Sequence, residues 1–367
     1  AREAFAGLEL MVHIELFANE TSAFADYVLP AAGGIEKGEI GRANDDRRIV
    51  WIEKLIDPPG EAKPDGWIWI ELARRLGYGD VLKEEYKDPR VFWDEVCIRN
   101  DHLRGVTQKR LHSVPYRWVR FPVASEDAPE EETLYLEGTT AVGWPEGHRF
   151  PTLSRRLEFW TEAMEEKFKA LGLSALPEFY SDTEQLVEMP YVVSEHGDAE
   201  IGVISPFHKG APTGVSRCRI VAPVAPIAPG GDGGVSPGAA LRARGFDTEL
   251  ITGRPPAPHF HSWTHYFWQA QEMWPDLYCQ IHPVRAGRLG VSDGDRMRVE
   301  TPRGSIEAMA WVSAGIRETA VFIPIGWGER QPYHPWRPVN FLTDKDQRDP
   351  VSDQTNLKSL LCRVSKY

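Results

Sequence analysis

Cysteine is scarce in this 367-residue chain: four residues stand at 97, 218, 279 and 362, and no two share C-x-x-C spacing. The sequence therefore carries no sign of a zinc ribbon or an iron–sulfur cluster of its own. Four scattered thiols fit free, buried cysteines better than a disulfide framework, and a reducing compartment, which favours the cytoplasm over the periplasm. An excess of basic charge is lacking too. Lys and Arg number 42 against 54 Asp and Glu, a net charge of −12, so neither nucleic acid nor an anionic membrane surface is expected as the main partner. A local basic pocket is still allowed. No apolar run approaches the roughly 18 residues that a membrane-spanning helix needs, so no direct membrane span is expected. No signal peptide is visible at the start.

The length allows two or three domains, and an apolar share of 42% is ordinary for globular ones. The chain opens at Ala1, where Ala4–Leu10 reads as a helix end and Met11–Leu16 as a buried strand. A compact domain seldom starts without the elements that precede these, so the C-terminal part of a longer polypeptide, or of a split enzyme, is expected.

Three textures follow one another. Residues 1–190 mix helix and strand. Ala23–Leu29 reads as a short helix running into a strand, and Asp65 as the cap of a helix that places Ile68, Leu72 and Leu76 on one face and stops at Gly77. Arg155–Phe159 alternates like a strand, and Thr161 caps a helix with Met164, Phe168 and Leu171, ended by Gly172. A single helix from Leu157 is the competing reading. Residues 191–246, rich in Pro and Gly, read as a linker or surface excursion, either a solvated loop or an arm ordered by another subunit. Residues 247–367 read as all-β with short helices: strands at Arg296–Glu300, Ser305–Val312 and Val321–Ile325, and a short helix from His282-Pro283 to Gly290. A small closed barrel with crossing connections is expected.

The most informative stretch is LITGRPPAPHFHSWT, residues 250–264. A strand end runs into Thr252, Gly253 and Arg254, then two prolines, then His259, Phe260, His261, Ser262 and Thr264. Glycine permits close backbone approach to a ligand. Arginine offers a fork of donors to a phosphate or flat heterocycle. The stretch reads either as a cradle for a polyanionic cofactor or as a turn with surface histidines. Elsewhere Lys37 follows a strand end as a point charge, with Arg42 and Asn44 beyond it. Asp65 ends a rigid turn, where it can cap its helix, the favoured local reading, or accept from a guanine edge. Asn340 and Lys358 lie towards the C-terminus.

Together these segments resemble the molybdopterin oxidoreductases of the dimethyl sulfoxide reductase family. The likeness runs through residues 20–49, 58–77, 151–159, 250–264, 289–306 and 338–366, in order, and leaves out about 190–246. The tail and the HFHS stretch are most similar to the branch of acetylene hydratase-like and thiosulfate or polysulfide reductase-like members. Glu15 stands where many relatives have Asp, SRRLEF where SGKIEL is usual, and residues 261–274 are unusually aromatic.

The resemblance implies an α/β plus β chain: the remainder of a nucleotide-binding α/β domain in 1–190, then a double-psi β-barrel domain in 247–367. It implies a bis-molybdopterin guanine dinucleotide cofactor with molybdenum or tungsten. Thr252, Gly253, Arg254, His259, Phe260, His261, Ser262 and Thr264 would contact pterin and phosphates, Asn340 and Lys358 would complete the barrel side, and Glu15, Lys37 and Asp65 would serve one guanosine. Trp263, Phe267, Trp268 and Trp274 are expected to pack the barrel mouth. The metal ligand and any 4Fe-4S cluster would belong to the N-terminal half or a partner, so no metal ligand or catalytic residue is expected here. Electrons would pass through an iron–sulfur subunit. The rival readings are a tungsten-dependent, non-redox hydratase and a cofactor-free structural module of a larger complex.

Overall fold

The computed structural model describes residues 2–43, 46–134, 150, 152–173, 175–176, 184, 199–200, 217–218, 237–260, 262–331, 334–349 and 351–367. They fall into two compact units, Ala1–Glu158 and Phe159–Tyr367.

In the first unit, α1 (Arg2–Ala6) precedes a parallel pair, β1 (Val12–Glu15) and β2 (Tyr27–Pro30), with Val12 beside Tyr27 and Glu15 beside Pro30. A parallel bridge from Ala31 to Lys63 carries the pairing one step further. Three antiparallel strands, β3 (Glu39–Ala43), β4 (Arg48–Ile52) and β5 (Trp118–Arg120), form a second sheet. Period-two alternation turns Ile49 and Trp51 of β4 into a core with Trp93, Val106, Leu111, Val119 and Val123. Around it lie α2 (Asp65–Arg75), α3 (Pro89–Glu95) and α4 (Gln108–Ser113). Asp88 caps α3, accepting from Arg90 N at 2.9 Å, and Thr107 caps α4, accepting from Arg110 N at 3.1 Å.

Three expectations change here. Asp65 is not a cap: Pro64 occupies the N-cap and no side chain caps α2. The helix buries Ile70, whereas Leu72 is 45% and Leu76 66% exposed, so the buried face is rotated from the one that the apolar spacing suggested. The helix does stop at Gly77, with φ +93°. Arg155–Phe159 is not a strand but a turn: Arg155 has φ +62°, Thr152 Oγ1 donates to Arg156 O at 2.7 Å, and Glu158 accepts from Ser154 N at 2.8 Å. The local side-chain hydrogen bonds outcompete the alternating pattern.

In the second unit, α5 (Glu162–Lys169) starts at Thr161, whose hydroxyl accepts from Met164 N at 3.1 Å. The helix does not begin at Leu157. Two short strands, β6 (Ala199–Glu200) and β7 (Arg217–Cys218), pair antiparallel. Within the stretch read as a linker, α6 (Pro237–Ala243) seats Leu241 against Phe246 and Leu361.

The rest is a closed barrel in the order β10-β11-β9-β12-β8-β13, made of β8 (Thr248–Gly253), β9 (Tyr278–Ile281), β10 (Arg296–Thr301), β11 (Gly304–Val312), β12 (Ala320–Pro324) and β13 (Leu360–Lys366). Two pairs, β8–β12 and β9–β11, are parallel and the others antiparallel. Inward positions alternate along each strand, with Leu250, Met297, Val299, Ile306, Ala308, Cys362 and Val364 in the core. Closure leaves no free sheet edge. Short helices α7 (Trp268–Met273) and α8 (Pro283–Leu289) lie in the connections. As expected, a short helix follows His282-Pro283 and ends at Gly290, with φ +65°; the His282 ring also caps it, accepting from Val284 N at 3.2 Å.

Candidate functional site

Strand directions decide what meets at each end of the barrel. The pairings make β8, β10 and β12 run one way and β9, β11 and β13 the other. One end therefore collects the connections after β8, β10 and β12, at residues 254–277, 302–303 and 325–359. The barrel-side residues singled out in the sequence lie at or beside that end wherever they are among the described residues.

Thr252 is 2% exposed, and its hydroxyl donates to Leu357 O at 2.5 Å, which ties the end of β8 to the segment before Lys358. Gly253 accepts from Ile325 N at 2.8 Å, and a Cβ there would sit 3.2 Å from the Phe322 ring. Its small size thus serves the crossing of β8 and β12 rather than an open cleft. The Thr264 hydroxyl accepts from Phe260 N at 3.0 Å and closes the turn. His261 lies outside the described residues, and Ser262 opens a 3-10 turn, Ser262–Tyr266.

His259 is 1% exposed. Its Nε2 donates to Trp274 O at 2.8 Å, which makes Nδ1 a bare acceptor, buried with no hydrogen-bond partner among the described residues. Burial holds this imidazole below its usual pKa, despite the opposing hydrogen bond to Trp274. The ring stacks on His265 at 4.0 Å, with Trp327 edge-on to both. Trp274 packs on Tyr278 and Trp311, as expected, but Trp263, Phe267 and Trp268 are 40%, 39% and 56% exposed.

Three ligand-type groups remain outward at this end. Arg254 is exposed, with its guanidinium 4.8 Å from the Phe260 ring centre. Lys358 is exposed, and its backbone N–H donates to Asn356 Oδ1 at 3.2 Å. Neither cation makes an ion pair among the described residues. Asn340, in the turn Val339–Phe341, lines an open cavity of about 680 Å³ together with Arg303, Asp344 and Leu357. Two unpaired cations in a strongly acidic chain, an outward carboxamide and a roomy cavity suit a polyanionic, heterocyclic ligand. Among the described residues no group of three His, Cys, Asp or Glu is arranged to hold a metal ion.

Two residues of this end, Arg303 and Glu184, are absent from the candidates that the sequence suggested. Glu184 is 3% exposed. Its carboxylate takes Arg303 Nη2, Gln347 Nε2 at 2.8 Å and Leu361 N at 2.8 Å. Asp344 accepts from the same guanidinium at 2.8 and 3.2 Å. A lone Glu about 120 residues upstream carries no local signal of this role.

In the first unit, Glu15 closes β1, whose carbonyl accepts from Ala31 N at 3.1 Å, while Lys63 O accepts from Ala32 N at 2.9 Å. Glu15 and Asp65 therefore lie at the carboxyl end of the parallel pair, where ligands of open α/β sheets commonly bind. Lys37 reaches Asp65 at 3.2 Å and Glu39 at 3.4 Å. Glu15 turns to Leu16 N at 2.8 Å and Asn19 at 3.3 Å instead. Asn44 lies outside the described residues.

Comparison with known proteins agrees with this layout. A family model described as "Molybdopterin oxidoreductase" matches residues 1–75, and one described as "Molydopterin dinucleotide binding domain" matches 249–361. A nitrate reductase of Symbiobacterium thermophilum is 26% identical over 97% of this chain and 38% of its own length. The F420-dependent formate dehydrogenase subunit alpha of Methanocaldococcus jannaschii is 38% identical over 32% of this chain and 17% of its own. The solved structure of acetylene hydratase from Pelobacter acetylenicus superposes with a TM-score of 0.65 at 18% identity, covering 100% of this chain and 42% of that one. The chain thus spans about two fifths or less of the length of these relatives. The six-stranded closed barrel and the matched segment on it define a molybdopterin dinucleotide-binding class of protein. With the second matched segment at its start, the chain belongs to the molybdopterin oxidoreductase family.

Proposed function

We propose that this chain is the cofactor-embracing C-terminal portion of an oxidoreductase that carries bis-molybdopterin guanine dinucleotide with molybdenum or tungsten. The barrel is of the double-psi type, and residues 1–190 are the remainder of a nucleotide-binding α/β domain. Arg254 and Lys358 neutralise phosphates, Asn340 meets a heterocycle edge, and His259, bonded to Trp274 O and stacked on His265, fixes the loop that meets the pterin. The loop 254–264, including His261 and Ser262, wraps the pterin side. Lys37, Asp65 and Glu15 serve one guanosine. When bound, the metal centre supplies two-electron redox chemistry between its +4 and +6 states. The protein contributes orientation, charge neutralisation and exclusion of water. Metal ligand, 4Fe-4S cluster and electron outlet come from the N-terminal portion of the enzyme and an iron–sulfur partner.

The observation that carries this reading is the pair of cations, Arg254 and Lys358, left at one barrel end without acidic partners among the described residues. It also argues against the cofactor-free scaffold, which has no use for them. The relatives named as nitrate reductase and formate dehydrogenase favour redox chemistry over hydration. The likeness to acetylene hydratase concerns the fold alone. Fluorescence of oxidised pterin released from the denatured enzyme tests the reading, and its absence refutes it.

A further inference from the structure

The guanidinium of Arg303 is held by two carboxylates, yet one of its donors is unused. Nη2 is taken by Glu184 and Asp344, and Nε by Asp344. Nη1 is buried and has no hydrogen-bond acceptor among the described residues. Leaving a charged donor unmet in a buried place is costly, so such a group calls for a partner. Arg303 also lines the open cavity that Asn340 faces.

We infer that Arg303 is a ligand-binding residue of this cavity, donating from Nη1, once the atoms that seal it shift aside, to a neutral acceptor of the cofactor, and that Glu184 is its positioning residue. The inference rests on the cofactor reading above and deepens it. Charge decides the kind of acceptor. One guanidinium faces two carboxylates, which leaves an excess of one negative charge in the cluster. A phosphate is repelled there, whereas a carbonyl oxygen or ring nitrogen of a base or pterin is not. Phosphates are left to Arg254 and Lys358, which have no carboxylate paired with them among the described residues. Glu184 fixes the fork because three donors converge on its two oxygens: Arg303 and Gln347 share Oε1, and Leu361 N takes Oε2. A glutamine in its place turns one oxygen into a donor and opposes at least one of them.

The test uses the complete enzyme and follows pterin loss after gel filtration, at low and at high salt. Arg303→Lys keeps a cation between Glu184 and Asp344 but has no second nitrogen to offer, so its thermal midpoint should stay near that of the wild type. Its pterin should leave roughly tenfold faster, a shift of about 1.4 kcal/mol, and the increment should be the same at both salt concentrations. Glu184→Gln should lose pterin faster too, and should add nothing in an Arg303→Lys background, because both act through one group. Retention at the wild-type rate in Arg303→Lys overturns the assignment, as does a salt-dependent increment, which belongs to a phosphate contact. Additive losses from Glu184→Gln and Arg303→Lys overturn the positioning role. A wild-type enzyme that holds no pterin overturns the cofactor reading itself, and this assignment with it.

Discussion

Gly326→Ala bears directly on how the floor of the barrel end is built. Gly326 has φ +117°, and a Cβ on it would lie 2.2 Å from His265 Cε1 and 2.7 Å from Nε2. His265 is fully buried in its stack with His259 and Trp327, so it has no room to retreat. A non-glycine residue in that backbone region costs roughly 1–3 kcal/mol. Overpacking a rigid site adds roughly 1–3 kcal/mol. Together they give about 2–6 kcal/mol, which for a unit of about 200 residues lowers the unfolding midpoint by roughly 4–24 °C. Denaturant titration of Gly326→Ala against wild type measures it. Combining it with His265→Ala separates the two parts, since the clash vanishes and the backbone cost stays. The double variant should be less perturbed than the sum of the singles. A Gly326→Ala protein within about 0.5 kcal/mol of wild type, or full additivity with His265→Ala, refutes the packing argument.

Arg254→Ala removes a charge-assisted contact worth roughly 1.5–3 kcal/mol, so pterin content should fall, and the deficit should be largest at low salt and shrink as salt screens the wild-type contact. Full occupancy in that variant would sink the assignment of the loop. For His259, burial keeps the folded pKa below the unfolded value of about 6.5. The unfolded chain therefore takes up the proton first, and stability present above pH 6.5 is lost as pH falls through the folded value. Urea midpoints at pH 7.5 and 5.5 should drop more in wild type than in His259→Gln; equal drops rule this out.

The barrel was largely legible because its strands alternate strictly. Ile306, Ala308 and Ala310 are inward, and the helix from Pro283 has strong local start and stop signals in His282-Pro283 and Gly290. The gathering of Thr252, Asn340 and Lys358 was legible only as a likeness. Their meeting depends on strand directions around a closed sheet, which no local pattern encodes. Local readings failed where tertiary contacts decide. Asp65 reads as a cap but takes Lys37, 28 residues away. The apolar spacing of α2 points to Ile68, Leu72 and Leu76, yet Ile70 is buried. Neither His265 nor Glu184 carries a local signal of its place. A stack and a buried carboxylate are made by partners distant in sequence.

The central claim is that this barrel end embraces a pterin nucleotide cofactor, and metal analysis with pterin quantification on the enzyme purified from its source tests it most directly. The account predicts about two pterins per molybdenum or tungsten atom, with the barrel chain present in the same complex. A folded, intact complex with neither metal nor pterin would contradict it and leave the closed barrel as a scaffold.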